Sequence, residues 1–137
     1  MSEAKERRDK GLDSSVCSVA SFAVFKEFRL YCAHSVQAFG SDHKCSRKHG
    51  HCYKVRVEVH KYVNPETNIA LPFDEIEAAW KKVGEPLDHT DLNEKFGNNP
   101  TTEVLAMYLH GQMGMALGHK CSIEVRETES SGVVIRA

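Results

Sequence analysis

The sequence predicts an α+β fold in which an antiparallel four-stranded sheet carries two helices on one face. Two long segments, 22–34 and 51–60, alternate apolar and polar residues, as strands with one buried face do. Two segments between residues 73 and 117 instead repeat apolar residues at helical spacing, and alternation returns from residue 121 onward. Two strands, two helices and two strands in that order predict a sheet covered by helices on one side.

The bulk composition limits the domain count and the kinds of partner. A chain of 137 residues is long enough for one core, and its net charge of -1 comes from 18 basic and 19 acidic residues. This balance predicts neither a nucleic-acid partner nor capture by an anionic membrane. No apolar run approaches the roughly 20 residues that a membrane-spanning helix needs. We expect residues 1–21, which are charged and then Ser-rich, to be a flexible N-terminal tail, and 22–137 to form a single domain.

The cysteines indicate a reducing environment. There are five of them, an odd number, and none forms a Cys-x-x-Cys pair, so a disulfide scaffold is not predicted. We therefore expect free thiols and a cytoplasmic location. The cysteines are Cys17, Cys32, Cys45, Cys52 and Cys121.

The first two strands have faces that the alternation defines. His34 has the parity of the apolar residues before it and ends the first strand, and Lys26 interrupts that face. The second strand is predicted to be half-solvated, as antiparallel strands often are. The inward residues are Phe22, Val24, Phe28, Leu30 and Cys32 in the first strand and Tyr53, Val55, Val57 and Val59 in the second.

Each predicted helix has a start or stop signal in addition to its apolar stripe. Gly84 and Pro86 end the first helix, and Gly118 ends the second. Either Asn99 or Thr101 is expected to cap the second helix. The stripes are Phe73, Ile76, Trp80 and Val83, then Leu105, Tyr108, Leu109, Gln112 and Ala116.

Glu127 continues the inward face of the strand that begins at Cys121, after Ile123 and Val125. A carboxylate on an apolar face is costly unless it meets a donor, such as a ligand that presents two N–H groups. Parity alone is equally compatible with a glutamate at a strand end that reaches water.

Three histidines predict a metal site. His49 and His51 are two residues apart at the start of a strand, so their side chains lie on one face, and His34 ends the neighbouring strand. The alternative is three unrelated histidines, which would be the better interpretation of any one alone. Three imidazoles with an open fourth position are typical of catalytic zinc, although nickel, iron and copper also accept these ligands.

Further candidates are a cysteine and an acidic–imidazole pair. Cys45 is either an ordinary loop cysteine or a reactive one, because Arg47, Lys48 and a nearby metal ion would stabilise its thiolate. Asp88 and His89 are either part of a loop after a helix or a proton-transfer pair in which the carboxylate orients the imidazole.

Five short segments together resemble the 6-pyruvoyltetrahydropterin synthase family, and within it the 6-carboxytetrahydropterin synthases of queuosine biosynthesis. They occur in the family's order, and the resemblance covers residues 22–137. Pro72-Phe73 departs from the family's usual pair at the start of the first helix. The segments are Cys-Ala-His at 32–34, Cys-Ser-Arg-Lys-His-Gly-His-Cys-Tyr at 45–53, Leu-Asp-His-Thr-Asp-Leu-Asn at 87–93, Asn-Pro-Thr-Thr-Glu-Val-Leu-Ala at 99–106 and Arg-Glu-Thr at 126–128.

The resemblance implies an architecture and a set of residue roles. The architecture is a tunnelling fold, in which the sheets of several subunits close into a β-barrel, usually in a homohexamer of two trimers with sites between subunits. The implied roles are Zn²⁺ ligands for His34, His49 and His51, catalysis for Cys45, Asp88 and His89, and pterin binding for Glu127, Thr101, Thr102 and Glu103.

The resemblance also implies a reaction. The implied substrate is 7,8-dihydroneopterin triphosphate, and the implied products are 6-carboxy-5,6,7,8-tetrahydropterin, acetaldehyde and triphosphate. The spacing of Cys45 and His49 is similar to that of bacterial carboxy-forming synthases. Two alternatives stay open: a 6-pyruvoyltetrahydropterin synthase of the biopterin route, and a zinc- and pterin-binding protein without turnover.

Overall fold

A computed structural model describes residues 20–137. The predicted tail, 1–21, lies outside the described residues except for Ala20 and Ser21, so its flexibility stays a prediction. The strands are β1 (Ser21–His34), β2 (His49–Tyr62), β3 (Thr90–Asp91), β4 (Cys121–Thr128) and β5 (Ser131–Ile135). The helices are α1 (Phe73–Val83), α2 (Leu92–Phe96) and α3 (Thr102–Leu117).

The strands form one sheet in the order β3-β1-β2-β4-β5. β1 and β2 pair antiparallel along their whole length, from Ser21 opposite Tyr62 to His34 opposite His49. The pairs β2–β4 and β4–β5 are also antiparallel, whereas β3 runs parallel to β1 beside Cys32. The sheet thus has a long antiparallel body and a short parallel edge.

The α+β class is confirmed, but the predicted counts of four antiparallel strands and two helices are wrong. The segment 87–93, expected to be irregular, contributes β3 and the start of α2. The two residues of β3 and the five residues of α2 are too few to produce a hydrophobic period, so the alternation of apolar and polar residues cannot predict them. The sheet of one chain is open, with β3 and β5 at its edges, so the β-barrel stays a prediction about an assembly.

The core lies between one face of the sheet and the helices. The four inward residues of β2, from Tyr53 to Val59, are all fully buried. Burial stabilises each such side chain by roughly 1.5–3 kcal/mol. Phe28 on β1 stacks on Trp80 of α1, with ring centroids 4.5 Å apart and planes 7° apart. The expected inward face of β2 is therefore confirmed, and so is that of β1 from Val24 to Cys32. The prediction for Phe22 is wrong, because this residue is 47% exposed near the start of β1.

Parts of the predicted helix stripes are wrong. Phe73, the first residue of α1, is 61% exposed. Gln112 and Ala116 are also exposed, and Met113 is buried in their place. Since α3 carries apolar residues on most of its sides, its periodicity does not define the buried face.

The ends of α3 follow the local signals. Thr101 is the N-cap, and its hydroxyl accepts a hydrogen bond from the backbone N–H of Val104 at 3.3 Å. Gly118 ends the helix in the left-handed region, at φ 69°. Among residues 20–137, no helix has the length and apolarity to cross a bilayer.

We predict that Gly132→Ala destabilises the protein. Gly132 lies opposite Arg126 in the β4–β5 pair, and a Cβ there would meet the carbonyl oxygen of Val125 and lie 2.8 Å from the Cα of Arg126. Forcing a methyl group into such a space costs about 1–3 kcal/mol. Urea unfolding should show this loss.

Gly111→Ala is the matched control. A Cβ at Gly111 in α3 has nothing within 4 Å, so alanine should leave the stability unchanged or raise it by up to about 1 kcal/mol. Equal stability of the Gly132→Ala and wild-type proteins would contradict the packing argument.

Candidate metal centre and active site

Four side chains converge at one end of the sheet. One ligand atom from each of His34, His49, His51 and Glu127 lies within 4.8 Å of all the others. The ring centroids of the three histidines are 4.5–5.1 Å apart. His34 ends β1, His49 and His51 begin β2, and Glu127 lies near the end of β4. The β1–β2 register places His34 directly opposite His49, which brings the three rings together.

Backbone carbonyls orient two of the histidines. His34 Nδ1 lies 2.8 Å from the carbonyl oxygen of Pro100, and His49 Nδ1 lies 2.7 Å from that of Arg47. A carbonyl only accepts hydrogen bonds, so each Nδ1 carries a proton, and in a neutral ring the Nε2 then keeps its lone pair. This arrangement of a ring N–H bonded to a carbonyl is characteristic of histidines that bind metals.

His51 lies against Glu127. Its Nε2 is 2.8 Å from Glu127 Oε1, but this close contact lacks the alignment of a hydrogen bond. Burial lowers the pKa of His51 and outweighs the opposite effect of the Glu127 charge, so the ring is favoured in its neutral form. A neutral imidazole is the form that ligates a metal.

The arrangement fits a divalent transition metal. Within residues 20–137, His34 Nε2 and His51 Nε2 are buried without a hydrogen-bond partner. An unsatisfied buried polar atom costs about 1–3 kcal/mol, which a bound cation would offset. Three imidazoles and one carboxylate suit zinc and similar metals, and their convergence supports the metal site that the sequence predicts.

Cys45 lies in the same cavity, although its sulfur is not one of the converging atoms. It is half-buried in a 3-10 turn, Lys44–Ser46, where its N–H donates to His43 Nδ1 at 3.1 Å. Its carbonyl oxygen accepts from the N–H of Val36 at 2.7 Å, which holds this loop next to the end of β1. The cavity has a volume of about 310 Å³ and also borders His34, His49 and Glu127.

The start of α3 forms another wall of this cavity. Thr101, Thr102 and Glu103, to which the resemblance assigns pterin binding, all line it, and that role stays a prediction. The Thr102 hydroxyl donates to Glu127 Oε2 at 2.6 Å, and Thr102 is itself buried. One oxygen of Glu127 thus faces a hydroxyl while the other faces His51. Glu127 therefore belongs to the histidine cluster, whereas the resemblance assigns it only a role in pterin binding.

Asp88 and His89 do not line this cavity. Asp88 Oδ2 and His89 Nδ1 are 2.7 Å apart, so the predicted pair is formed. Asp88 Oδ1 accepts the backbone N–H of Tyr31 at 2.8 Å, and this hydrogen bond is the main reason why the pKa of Asp88 is lowered. The pair sits on the edge of β1, and His89 is largely exposed with φ 59°. Its catalytic role stays a prediction.

Several cavity residues were missed by the sequence analysis. Phe39 is 68% exposed and lies beside His43, with ring centroids 4.8 Å apart. Segment 131–133 forms another part of the lining. A lone phenylalanine in a polar loop is a weak signal for a binding residue. The sequence alone could not show that β5 folds back beside the histidines.

None of the other cysteines between residues 20 and 137 is a ligand in this cluster. Cys32 is buried and donates its thiol to the carbonyl oxygen of Leu87 at 3.1 Å, and burial raises its pKa to about 11. Cys52 points to the exposed face of the sheet, as its parity predicts. All cysteines between residues 20 and 137 are free thiols.

We predict that His49→Ala lowers the affinity for Zn²⁺ or Co²⁺ by more than about 100-fold, because it removes a ligand outright. His60→Ala is the control, since His60 lies on the same strand but its side chain is 52% exposed and outside the cluster. Competition with a chromophoric chelator measures both. Equal affinity of the His49→Ala and wild-type proteins would contradict metal binding at this cluster.

Comparison with known proteins agrees with this geometry. The family model described as 6-pyruvoyl tetrahydropterin synthase matches residues 23–137. A 6-carboxy-5,6,7,8-tetrahydropterin synthase of Synechocystis is 32% identical over 115 residues, which cover 79% of this chain and 88% of that protein. The human 6-pyruvoyl tetrahydrobiopterin synthase is 29% identical over 126 residues, covering 85% of this chain and 84% of the human one.

A solved structure shares the fold. The 6-pyruvoyl tetrahydropterin synthase of Caenorhabditis elegans superposes with a TM-score of 0.77 at 18% identity, covering 86% of this chain and 96% of that one. From the match of the family model over nearly all of the described domain, the chain belongs to the 6-pyruvoyl tetrahydropterin synthase family of enzymes.

Proposed function

We propose that the protein converts 7,8-dihydroneopterin triphosphate and water to 6-carboxy-5,6,7,8-tetrahydropterin, acetaldehyde and triphosphate. The observation that carries this proposal is the shared cavity of Cys45 with His34, His49 and Glu127. A thiol beside converging imidazoles combines a proton-transfer group with a metal site. The similarity to the Synechocystis carboxy-forming synthase favours this product.

Zinc is the proposed metal, held by His34, His49 and His51. When bound, it would polarise the hydroxyl groups of the substrate's side chain and make the adjacent protons more acidic. The three histidines keep their Nε2 atoms free for this purpose through the hydrogen bonds and the burial described above. A metal position open to substrate requires that Glu127 serve the substrate instead of closing the coordination shell.

The chain's own residues would bind the pterin and move its protons. Glu127, oriented by the Thr102 hydroxyl, would accept two N–H groups from the pyrimidinone edge of the pterin. Thr101 and Glu103 flank this position at the start of α3. Cys45 would take a proton from the side chain of the substrate and return one at a neighbouring atom, which shifts the dihydropterin double bond.

Asp88 and His89 would act from a second subunit. Within one chain the pair lies on the edge of β1, outside the cavity lining. The open edges of the sheet support association with further copies, and we propose a homohexamer with active sites between subunits. In that arrangement His89, held by Asp88, would supply the second proton-transfer group opposite Cys45.

The pyruvoyl-forming synthase is the second candidate. A 6-pyruvoyl tetrahydrobiopterin synthase of Poecilia reticulata is 34% identical over 102 residues, covering 68% of this chain and 69% of that protein, which supports this alternative. It would share the metal site, the pterin-binding residues and triphosphate elimination, and would differ only in retaining the two-carbon fragment. Nothing in the cavity favours the third candidate, a binding protein without turnover, because Cys45 is present and held in place.

We predict that the purified protein with Zn²⁺ releases acetaldehyde and triphosphate in equal amounts from 7,8-dihydroneopterin triphosphate. Acetaldehyde is measured through NADH oxidation by alcohol dehydrogenase, and triphosphate by ion chromatography. Triphosphate without acetaldehyde would identify the pyruvoyl-forming reaction. Release of neither product would contradict a synthase function.

Variants of Cys45 and Cys52 serve as controls in the same assay. Cys45→Ala should lower kcat by about 100-fold or more, because a general acid–base group contributes about 10²–10⁴-fold, while metal affinity is retained. Cys52→Ala changes a cysteine on the exposed face of the sheet and should leave kcat unchanged. Full activity of Cys45→Ala would show that the thiol is not the proton-transfer group.

We predict that Phe39→Ala raises KM with little change in kcat. Phe39 presents an exposed ring at the cavity, and an aromatic stack on a planar substrate contributes about 0.5–1.5 kcal/mol, so KM should rise roughly two- to tenfold. Phe73→Ala is the matched control, since Phe73 is 61% exposed but does not line this cavity. Equal KM values for the two variants would exclude stacking by Phe39.

A further inference from the structure

The two histidines at the strand ends depend on chain segments that leave the sheet. His34 and His49 form the last pair of the β1–β2 ladder, and the chain departs immediately beyond them at Ser35 and Lys48. No further ladder pair fixes these departing residues. The direction of each histidine side chain therefore depends on whatever holds Ser35 and Lys48.

The side chain of Asn93 holds both of them. Its Oδ1 accepts from the backbone N–H of Ser35 at 2.7 Å and from Lys48 Nζ at 3.1 Å. Its Nδ2 donates to the carbonyl oxygens of Ser35 at 2.9 Å and of Gly97 at 2.9 Å. An amide offers two N–H donors and two acceptor positions, so this side chain is fully used. The amide thus pairs with both the N–H and the carbonyl oxygen of Ser35, as the backbone of a residue on a neighbouring strand would.

Lys48 is held a second time. Its Nζ lies 2.6 Å from Asp91 Oδ2, while Asp91 Oδ1 accepts the backbone N–H of Asn93 at 3.0 Å and caps α2. On the other side of Lys48, the carbonyl oxygen of Arg47 accepts the ring N–H of His49. The contacts of Lys48 with Asn93 and Asp91 are made by the end of its side chain, and its backbone connects Arg47, whose carbonyl orients His49, to His49 itself.

The exposure of this ion pair argues against a role in overall stability alone. The side chains of Lys48 and Asp91 are 49% and 32% exposed, and ion pairs at such positions stabilise a fold by little. Neither residue belongs to the hydrophobic core. We therefore expect the ion pair between Lys48 and Asp91 to matter more for the positions of the two strand ends than for the stability of the fold.

We propose that Asn93 is a positioning residue for the metal centre, which orients His34 through Ser35 and His49 through Lys48. The inference rests on the metal site of the proposed function and deepens it. Residues that orient metal ligands from outside the coordination shell typically change metal affinity by 10–100-fold when they are removed. Asn93 differs from the other such groups here in acting on two ligands at once.

The test is the metal affinity of Asn93→Ala in the full chain. We expect its Kd for Zn²⁺, from competition with a chromophoric chelator, to rise about 10–100-fold. The visible absorption of bound Co²⁺ should also change, because the ligands no longer converge in the same geometry. Lys48→Met should cause a smaller rise, and the double variant should show less than the sum of the two effects, since both act through one contact.

Asn64→Ala is the matched control. Asn64 also uses its side-chain oxygen locally, accepting the N–H of Glu66 at 2.8 Å, but it lies in the loop after β2, away from the histidines. It should leave the Kd and the Co²⁺ spectrum unchanged. Melting temperatures of the metal-free proteins separate loss of stability from loss of metal geometry.

Several outcomes would overturn the proposal. A folded Asn93→Ala protein with the wild-type Kd and Co²⁺ spectrum would do so. The proposal would also fail if the rise in Kd were proportional to the fall in melting temperature, with the same ratio in Asn93→Ala and Asn64→Ala. If Asn93→Ala does not fold, Lys48→Met decides, and an unchanged Kd there contradicts the proposal. Failure of the wild-type protein to bind metal would instead refute the metal site of the proposed function.

Discussion

The pairing of β1 with β2 is the constraint on which the rest of the structure depends. Its register places Leu30 and Cys32 of β1 beside the inward residues of β2 in the core and brings His34 opposite His49 at one end. A slip of one residue would expose the buried residues of one strand and turn its histidines to the other face. Burial of the β2 valines therefore also sets the positions of the metal ligands, because the same alternation continues from Val59 back to His49. Stability and ligand geometry have one cause here.

The start of α3 is the second support of the site. Pro100 lacks an N–H, but its carbonyl oxygen orients His34, while Thr101 caps the helix and Thr102 holds Glu127. Consecutive residues thus connect the start of the helix to His34 at the end of β1 and to Glu127 on β4. This explains why an ordinary helix-capping sequence also lines the cavity: the backbone groups at the end of a regular element are free for other partners.

The success of the sequence predictions depended on how much chain each signal covered. The strand faces and the inward histidines follow from alternation over many residues, and the structure agrees with them. The edge strand β3 and helix α2 were missed because they are short and are held by contacts with the end of β1. In α3 the apolar stripe predicts Gln112 inside and leaves out Met113, because an apolar helix has no polar face to define its orientation.

The sequence by itself determined the α+β class, the faces of the long strands and which residues are candidates for metal binding and catalysis. Those properties depend on the local alternation of apolar and polar residues and on residue types, so they can be predicted from the sequence alone. Only the tertiary structure decided that Glu127 reaches the histidine cluster, that Phe39 borders the cavity and that Asn93 connects two strand ends. Each of these depends on contacts between segments far apart in the chain, and the periodicity of the sequence describes only residues that are close together in it. The separation of Asp88 and His89 from the cavity has the same origin, because the edge of β1 to which they bind lies outside the cavity lining.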